Sequence, residues 1–447
     1  MSIDYINIED ITAIQFYTQY LAHNKPVLLH HINTTQLPVQ HNFIKYNMLC
    51  NSTIQQYIHV EGNKLVSPSL TDSLHIITQS FDNRFHSQHV INTDYIQSTY
   101  TDELIDITVC HNILDKNNDD MTGDNKTTQI TVQQYINEYK QCQSNNILYN
   151  YYWKDWHITQ LSESVDAQWI VLPHISMNWL HQYYMNNTEY NQKQRDFRFC
   201  YIGPTGTYST LHCDVYSSYS WSLNICGIKL WYIIEKQYIE LCYDLHGVLC
   251  TSIFDIVKQP ENYAHYNELH PYIITVIQRE NELIYVPSNY YHSVHNLCDC
   301  ISINENWCNG YNIQHINESM KLAYNEAYNE CCKWNTMNDN TIVQSVMKSN
   351  HGMNYSEYHQ FIVYTVQYEI QQYTQCAHQN NSAVMIEYHT MSLRKLRFIL
   401  HELSNKLLLY SVDEITIMNQ LFNTVGDILD SDNSNQRYKQ IYKARQI

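Results

Sequence analysis

The sequence predicts an α+β chain: an all-β sandwich or barrel core over residues 149–312, an N-terminal α/β elaboration over 1–148 and a C-terminal helical region over 313–447. Three observations predict it. Between 149 and 308, short runs rich in Tyr, Ile, Val and Trp alternate with turn residues, and no long helical period intervenes. Beyond Gly310 the apolar residues recur at helical spacing. Ahead of 149 the two signals mix.

In the first segment Phe16, Tyr17, Tyr20 and Leu21 fall on one helical face. Pro26 stops that helix by disfavouring helical backbone in the residue before it, and Val27, Leu28 and Leu29 then read as a strand. Residues 115–128 are polar and read as a solvated loop. In the core, strands are expected over 149–156, 197–203, 208–214, 220–224, 229–234, 272–277, 283–286, 292–296 and 301–307. The chain holds only 9 Gly, so the crowding of Gly203, Pro204, Gly206 and Gly227 marks backbone with little choice of geometry. In the last segment, 355–373 and 393–409 are amphipathic. Ser411-Val-Asp-Glu414 forms a capping box that opens a helix with Ile415, Met418, Phe422, Val425 and Leu429 on one face. Such faces are packing surfaces first, with a homodimer contact as the alternative.

Charge narrows the function. With 26 Lys and Arg against 44 Asp and Glu, the net charge is −18, which argues against a nucleic-acid binder that must neutralise phosphates. No apolar run approaches the ~18 residues of a membrane span, and the acidic start of the chain carries no secretory signal pattern. The 14 Cys are scattered without a C-x-x-C pair, so reduced, mostly buried thiols of a cytosolic or nuclear protein are expected, rather than disulfides or zinc.

His212 and Asp214 are two residues apart on an expected strand, hence on one face. A His and a carboxylate so placed are two of the three ligands of the non-haem Fe(II) facial triad, which leaves positions open for cosubstrate and O2. With 24 His in the chain, about one H-x-D arises by chance, so the pair needs context. Context comes from Val286-Pro-Ser-Asn-Tyr-Tyr-His292-Ser-Val-His295-Asn296. His292 and His295 point to opposite faces of their strand, and only one can join the metal; His292 is preferred, with Val294 and Asn296 on its side. Lys229 stands inside the apolar run Ile228 to Ile234, where a lysine needs a partner for its charge. Near an iron site that partner is naturally the distal carboxylate of a 2-oxo acid; an edge lysine reaching out to water is the alternative.

The order His212-x-Asp214, Lys229, Pro287-Ser-Asn-x-x-His292 resembles the JmjC branch of Fe(II)- and 2-oxoglutarate-dependent oxygenases. The strings Tyr201 to Tyr216, Ser220 to Gly227, Val294 to Gly310 and Tyr152-Trp-Lys-Asp-Trp156 carry the resemblance further. It implies a double-stranded β-helix, the jelly-roll of cupin-like proteins, with iron on His212, Asp214 and His292 and 2-oxoglutarate on Lys229. Tyr152 falls where members often place a phenol on the same carboxylate. Ser209 matches a family hydroxyl three residues before the first ligand, whereas strand parity favours Thr210; both stay open. Asn281 replaces a glycine common in the family, a departure in turn geometry. The closest subgroup implies hydroxylation of a lysyl side chain in a translation termination factor, and hence a protein partner and a cytoplasmic location. N-methyl-lysine demethylation and a non-catalytic binding scaffold are the competing expectations.

Overall fold

The computed structural model describes residues 2–47, 53–81, 85–111, 113–114, 127–169, 172–186, 197–334, 339–378, 383–406 and 409–434. All the strands expected in the core form: Tyr151–Trp156, Arg198–Gly203, Tyr208–Cys213, Tyr219–Cys226, Lys229–Glu235, Ile273–Gln278, Glu282–Val286, Tyr290–Asn296 and Cys300–Trp307. The last eight share two sheets. A four-stranded sheet runs in the order Tyr208–Cys213, Tyr290–Asn296, Lys229–Glu235, Ile273–Gln278. In the other, Glu282–Val286, Tyr219–Cys226, Cys300–Trp307 and Arg198–Gly203 are consecutive neighbours. Turns and crossovers pass the chain between the sheets, and all the core pairings are antiparallel, which makes a cupin-like jelly-roll.

The expected boundary at 148 does not divide this architecture. Val27–His30 pairs antiparallel with Glu282–Val286, and Ser2–Asn7, Lys64–Val66 and His59–Glu61 continue outward from it. On the opposite edge Tyr151–Trp156, Leu104–Val109 and Thr127–Thr131 continue from Arg198–Gly203, which completes an eleven-stranded sheet. Two compact units result. One joins 1–176, 193–214 and 219–306; the other joins 177–192, 215–218 and 307–447. The helix stopped ahead of Pro26 is present as Ala13–Phe16 continuing into Tyr17–Leu21, with Phe16, Tyr17, Tyr20 and Leu21 all buried. Of the expected polar loop, 115–126 lies outside the described residues, while Thr127 and Thr128 open a strand.

Two apolar clusters sandwich the four-stranded sheet. Its inner face places Trp231, Ile233, Val276 and Val294 against Leu28, Ile284 and Val286 of the large sheet. Its outer face places Leu230, Tyr232, Ile234 and Ile277 in a cluster with Ile76 and Ile77 of helix Leu70–Phe81 and with Phe254 and Val257 of helix Ile253–Lys258. Each such side chain contributes about 1.5–3 kcal/mol by burial.

The second unit holds the helices Ile313–Lys333, Asn340–His351, Tyr355–His378, Ala383–Ser404 and Val412–Ser434. The capping box is present: Glu414 N–H donates to Ser411 Oγ, and Ser411 N–H donates to the Glu414 carboxylate. Leu393, Leu396, Ile399, Leu400, Met418 and Val425 are buried, so these amphipathic faces serve packing within the unit. All thirteen described cysteines are free thiols and ten are buried. Among the described residues no helix is long and apolar enough to cross a membrane.

Candidate metal centre

All the residues of the centre lie in the first unit. The ladder between Tyr208–Cys213 and Tyr290–Asn296 sets His212 directly opposite His292, with ring centroids 4.3 Å apart. Asp214 follows the strand by one residue. The ligand atoms of His212, Asp214 and His292 lie within 4.8 Å of one another, the single convergent group of this kind among the described residues.

Each ligand is held in a form that can bind a metal. His212 Nδ1 is 2.7 Å from the Thr210 carbonyl oxygen; donation there keeps the proton on Nδ1 and leaves the Nε2 lone pair free. Ser220 Oγ donates to Asp214 Oδ2 at 2.6 Å and Asn306 Nδ2 donates to Oδ1 at 3.0 Å, which orients the carboxylate without neutralising it. No Lys or Arg pairs with Asp214 among the described residues. His292 is buried, and burial together with the nearby His212 ring pushes its pKa down to about 4, so it is the neutral imidazole a metal requires. Trp231 stacks against it at 5.6 Å, and its Nε1 donates to the buried Gln278 at 2.8 Å. Two neutral imidazoles and one charged carboxylate converging from one side fit a divalent first-row metal and leave its other positions open.

His295 takes the opposite direction, as parity requires. It stacks on Tyr208, shares a hydrogen bond of 2.8 Å with Ser252 and sits in the outer cluster, where burial pushes its pKa down to about 3.

Lys229 is 3% exposed and lies on the inner face with Trp231 and Ile233, opposite Asn296. It does not reach water as an edge residue. Its Nζ is 3.5 Å from Tyr152 Oη, which is also buried, and among the described residues no carboxylate pairs with it. Asn296 Nδ2 donates to Thr207 Oγ1 at 2.9 Å, while its Oδ1 is buried without a partner. Gly203 leaves the space for this pocket, since a Cβ there would collide with Asn296 and Tyr152.

The register resolves Ser209 and Thr210. Ser209 pairs with Val294 and His212 with His292, so three residues on one strand match two on the other. That bulge inserts one residue between Ser209 and His212 and turns Ser209, not Thr210, to the face of the metal ligands. Plain alternation therefore fails at this point. Asn281 adopts φ 60°, the left-handed conformation that asparagine tolerates, so the turn survives without glycine. Ser220, Asn306, Trp231 and Gln278 were assigned no role from sequence; the first two stand inside recognisable strings, yet spacing alone does not reveal that they grip Asp214.

A jelly-roll with a His, Asp, His triad and a buried lysine on its inner face fits the site that non-haem Fe(II) oxygenases using a 2-oxo acid require. Residues 199–307 match the family described as JmjC domain, hydroxylase. The chain is 32% identical over 282 residues to mouse 2-oxoglutarate and iron-dependent oxygenase JMJD4, a match covering 60% of this chain and 62% of that protein. To the human protein of the same name it is 30% identical over 275 residues, 60% and 63% of the two chains. It is 29% identical over 253 residues to the Arabidopsis thaliana protein named arginine-specific demethylase JMJ20, 54% of each. The matches span less than two thirds of these relatives.

Proposed function

We propose that the protein is an Fe(II)- and 2-oxoglutarate-dependent oxygenase that hydroxylates a lysyl side chain of a protein, with a translation termination factor in the cytoplasm as substrate. The oxygenase reading rests on one observation above all: a buried lysine with no carboxylate partner among the described residues, beside a buried phenol, on the face that carries the metal ligands. An ammonium is costly to bury unpaired, so the pocket is complete only with an acid bound in it. Lys229, Tyr152 and Ser209 would hold the distal carboxylate of 2-oxoglutarate, and His212, Asp214 and His292 would hold the metal. Bound Fe(II) supplies, with 2-oxoglutarate and O2, an oxidant for an unactivated C–H bond, yielding succinate and CO2. Ser220 and Asn306 keep Asp214 aimed, Thr210 fixes the His212 tautomer, and the Trp231 ring shields His292 from water.

The lysyl target and the termination factor rest on the subgroup the sequence resembles, and the charge of −18 suits a basic substrate segment. Removal of a methyl group is the second reading, favoured by the plant relative named a demethylase. A passive scaffold has no use for a buried Lys229 that meets a phenol but no carboxylate among the described residues. Incubation with Fe(II), 2-oxoglutarate and the termination factor should add one oxygen atom to a lysine in step with succinate, read by mass spectrometry. Formaldehyde released in step with succinate from methylated peptides, without oxygen retained on lysine, would reverse the choice.

A further inference from the structure

The strand Tyr151–Trp156 contains a second irregularity, at the other wall of the pocket. Trp153 pairs with Ile202 and Trp156 with Cys200, again three residues against two. The two tryptophans thereby share the face of Ile202 and Cys200, and their rings lie 4.3 Å apart. Tyr152 is on the inner face, beside Gly203 and Lys229. Regular alternation would turn Asp155 away from Tyr152, to the tryptophan side. Instead Asp155 adopts φ 54°, and its carboxylate accepts a hydrogen bond of 2.6 Å from Tyr201 Oη. Tyr201 itself stands 6.2 Å from the Tyr152 ring. A bulge is the usual means by which a sheet re-aims one side chain beside a site.

The re-aimed carboxylate is exposed, and its hydrogen-bond partner is a neutral phenol. Only Oδ1 is engaged among the described residues. The adjacent cation, Lys154, lies over the Tyr152 ring at 5.8 Å and forms no ion pair with Asp155 among the described residues. The backbone is thus held in the left-handed region to present, next to the cosubstrate phenol, a carboxylate that pairs with no cation among the described residues.

We infer that Asp155, positioned by Tyr201, is the docking carboxylate for a cationic side chain of the substrate, an ammonium-bearing residue such as lysine. This rests on the oxygenase reading above and deepens it, since it gives the preference for lysine a residue of this chain.

The test reads binding apart from turnover. Labelled short peptide pools with lysine, norleucine or glutamate fixed at the centre are titrated, without oxygen, into protein loaded with Fe(II) and 2-oxoglutarate. Wild type should prefer the lysine pool. Asp155→Asn keeps the shape and tolerates the positive φ; it should bind the lysine pool roughly two- to fivefold more weakly and the norleucine pool unchanged. Asp155→Lys should shift preference to the glutamate pool, and Lys154→Ala should retain the lysine preference. Unchanged lysine affinity in Asp155→Asn, or equal loss of both pools, overturns the inference. The two proposals fail separately: lysine hydroxylation unaffected by Asp155→Asn removes the docking role alone, whereas Asp155-dependent binding without hydroxylation removes the reaction alone.

Discussion

The two faces of the four-stranded sheet are built from alternate residues of the same strands, yet they obey opposite rules. Outward, Leu230, Tyr232, Ile234 and His295 meet helices, and even the histidine has a hydrogen-bond partner and a stacked ring. Inward, Lys229, Asn296 and His292 are as deeply buried but keep, among the described residues, an ammonium without a carboxylate, an orphaned amide oxygen and a free ligand atom. One face is finished by folding; the other waits for molecules that complete it. Substitutions on the first should cost stability and spare chemistry, and on the second the reverse.

The largest contrast is expected at the triad. Asp214→Ala removes its carboxylate and should abolish 2-oxoglutarate turnover with the fold intact, as read by succinate formation and circular dichroism. Substantial turnover by the folded variant would mean the metal is held elsewhere.

Lys229→Met should raise the apparent constant for 2-oxoglutarate roughly thirty- to several-thousand-fold, from the about 2–5 kcal/mol lost when a desolvated charge pair loses one member. The ligand-free variant should melt no lower than wild type, because an uncompensated buried cation has been replaced by an apolar side chain of similar volume. Metal affinity without cosubstrate should stay the same. Tight 2-oxoglutarate binding by this variant would place the cosubstrate outside the pocket.

His292→Ala and His295→Ala separate the faces within one strand. The first should lose metal binding, the second should lower Tm while retaining turnover. Acid sharpens the pair. His295 is held near 3 in the fold against 6.5 when unfolded, so below pH 6.5 the unfolded chain binds the extra proton. Its contribution to stability is complete above 6.5 and lost as pH falls toward 3, at up to about 1.4 kcal/mol per pH unit. Unfolding of His295→Gln followed between pH 7 and pH 4 should therefore decline less steeply than wild type; equal slopes would mean the ring is already charged in the fold.

The smallest effect tests the bulge. Ser209→Ala should weaken 2-oxoglutarate about fivefold, the value of one hydrogen bond, and Thr210→Ala hardly at all. The reverse order would restore simple alternation.

Much of this is legible in the sequence. Runs of Tyr, Ile and Val between turn residues announced the core strands, and His212, Asp214, Lys229 and His292 stood out because polar groups in apolar strands require an explanation. The bulges at Ser209 to His212 and Trp153 to Trp156 were not legible, since a one-residue slip leaves composition and period almost untouched while reversing every facing beyond it. Nor was the grip of Asn306 on Asp214, which spans 92 positions of sequence and depends on the two sheets facing each other. Of the N-terminal strands only Val27–His30 was recognised as one, and its partner Glu282–Val286 lies so far along the chain that no local pattern could name it.

That distance bears on how the molecule comes into being. Val27–His30 pairs on one side with the nearby Ser2–Asn7, but its other side closes only with Glu282–Val286, and Tyr5 hydrogen-bonds Glu282 277 residues away. Such remote pairing makes folding slow, because a very long loop must close before any contact rewards it. During synthesis Val27–His30 leaves the ribosome with an unsatisfied apolar edge and keeps it until residues 282–286 have been made. For most of its own translation, the chain carries a strand open to any other strand it meets.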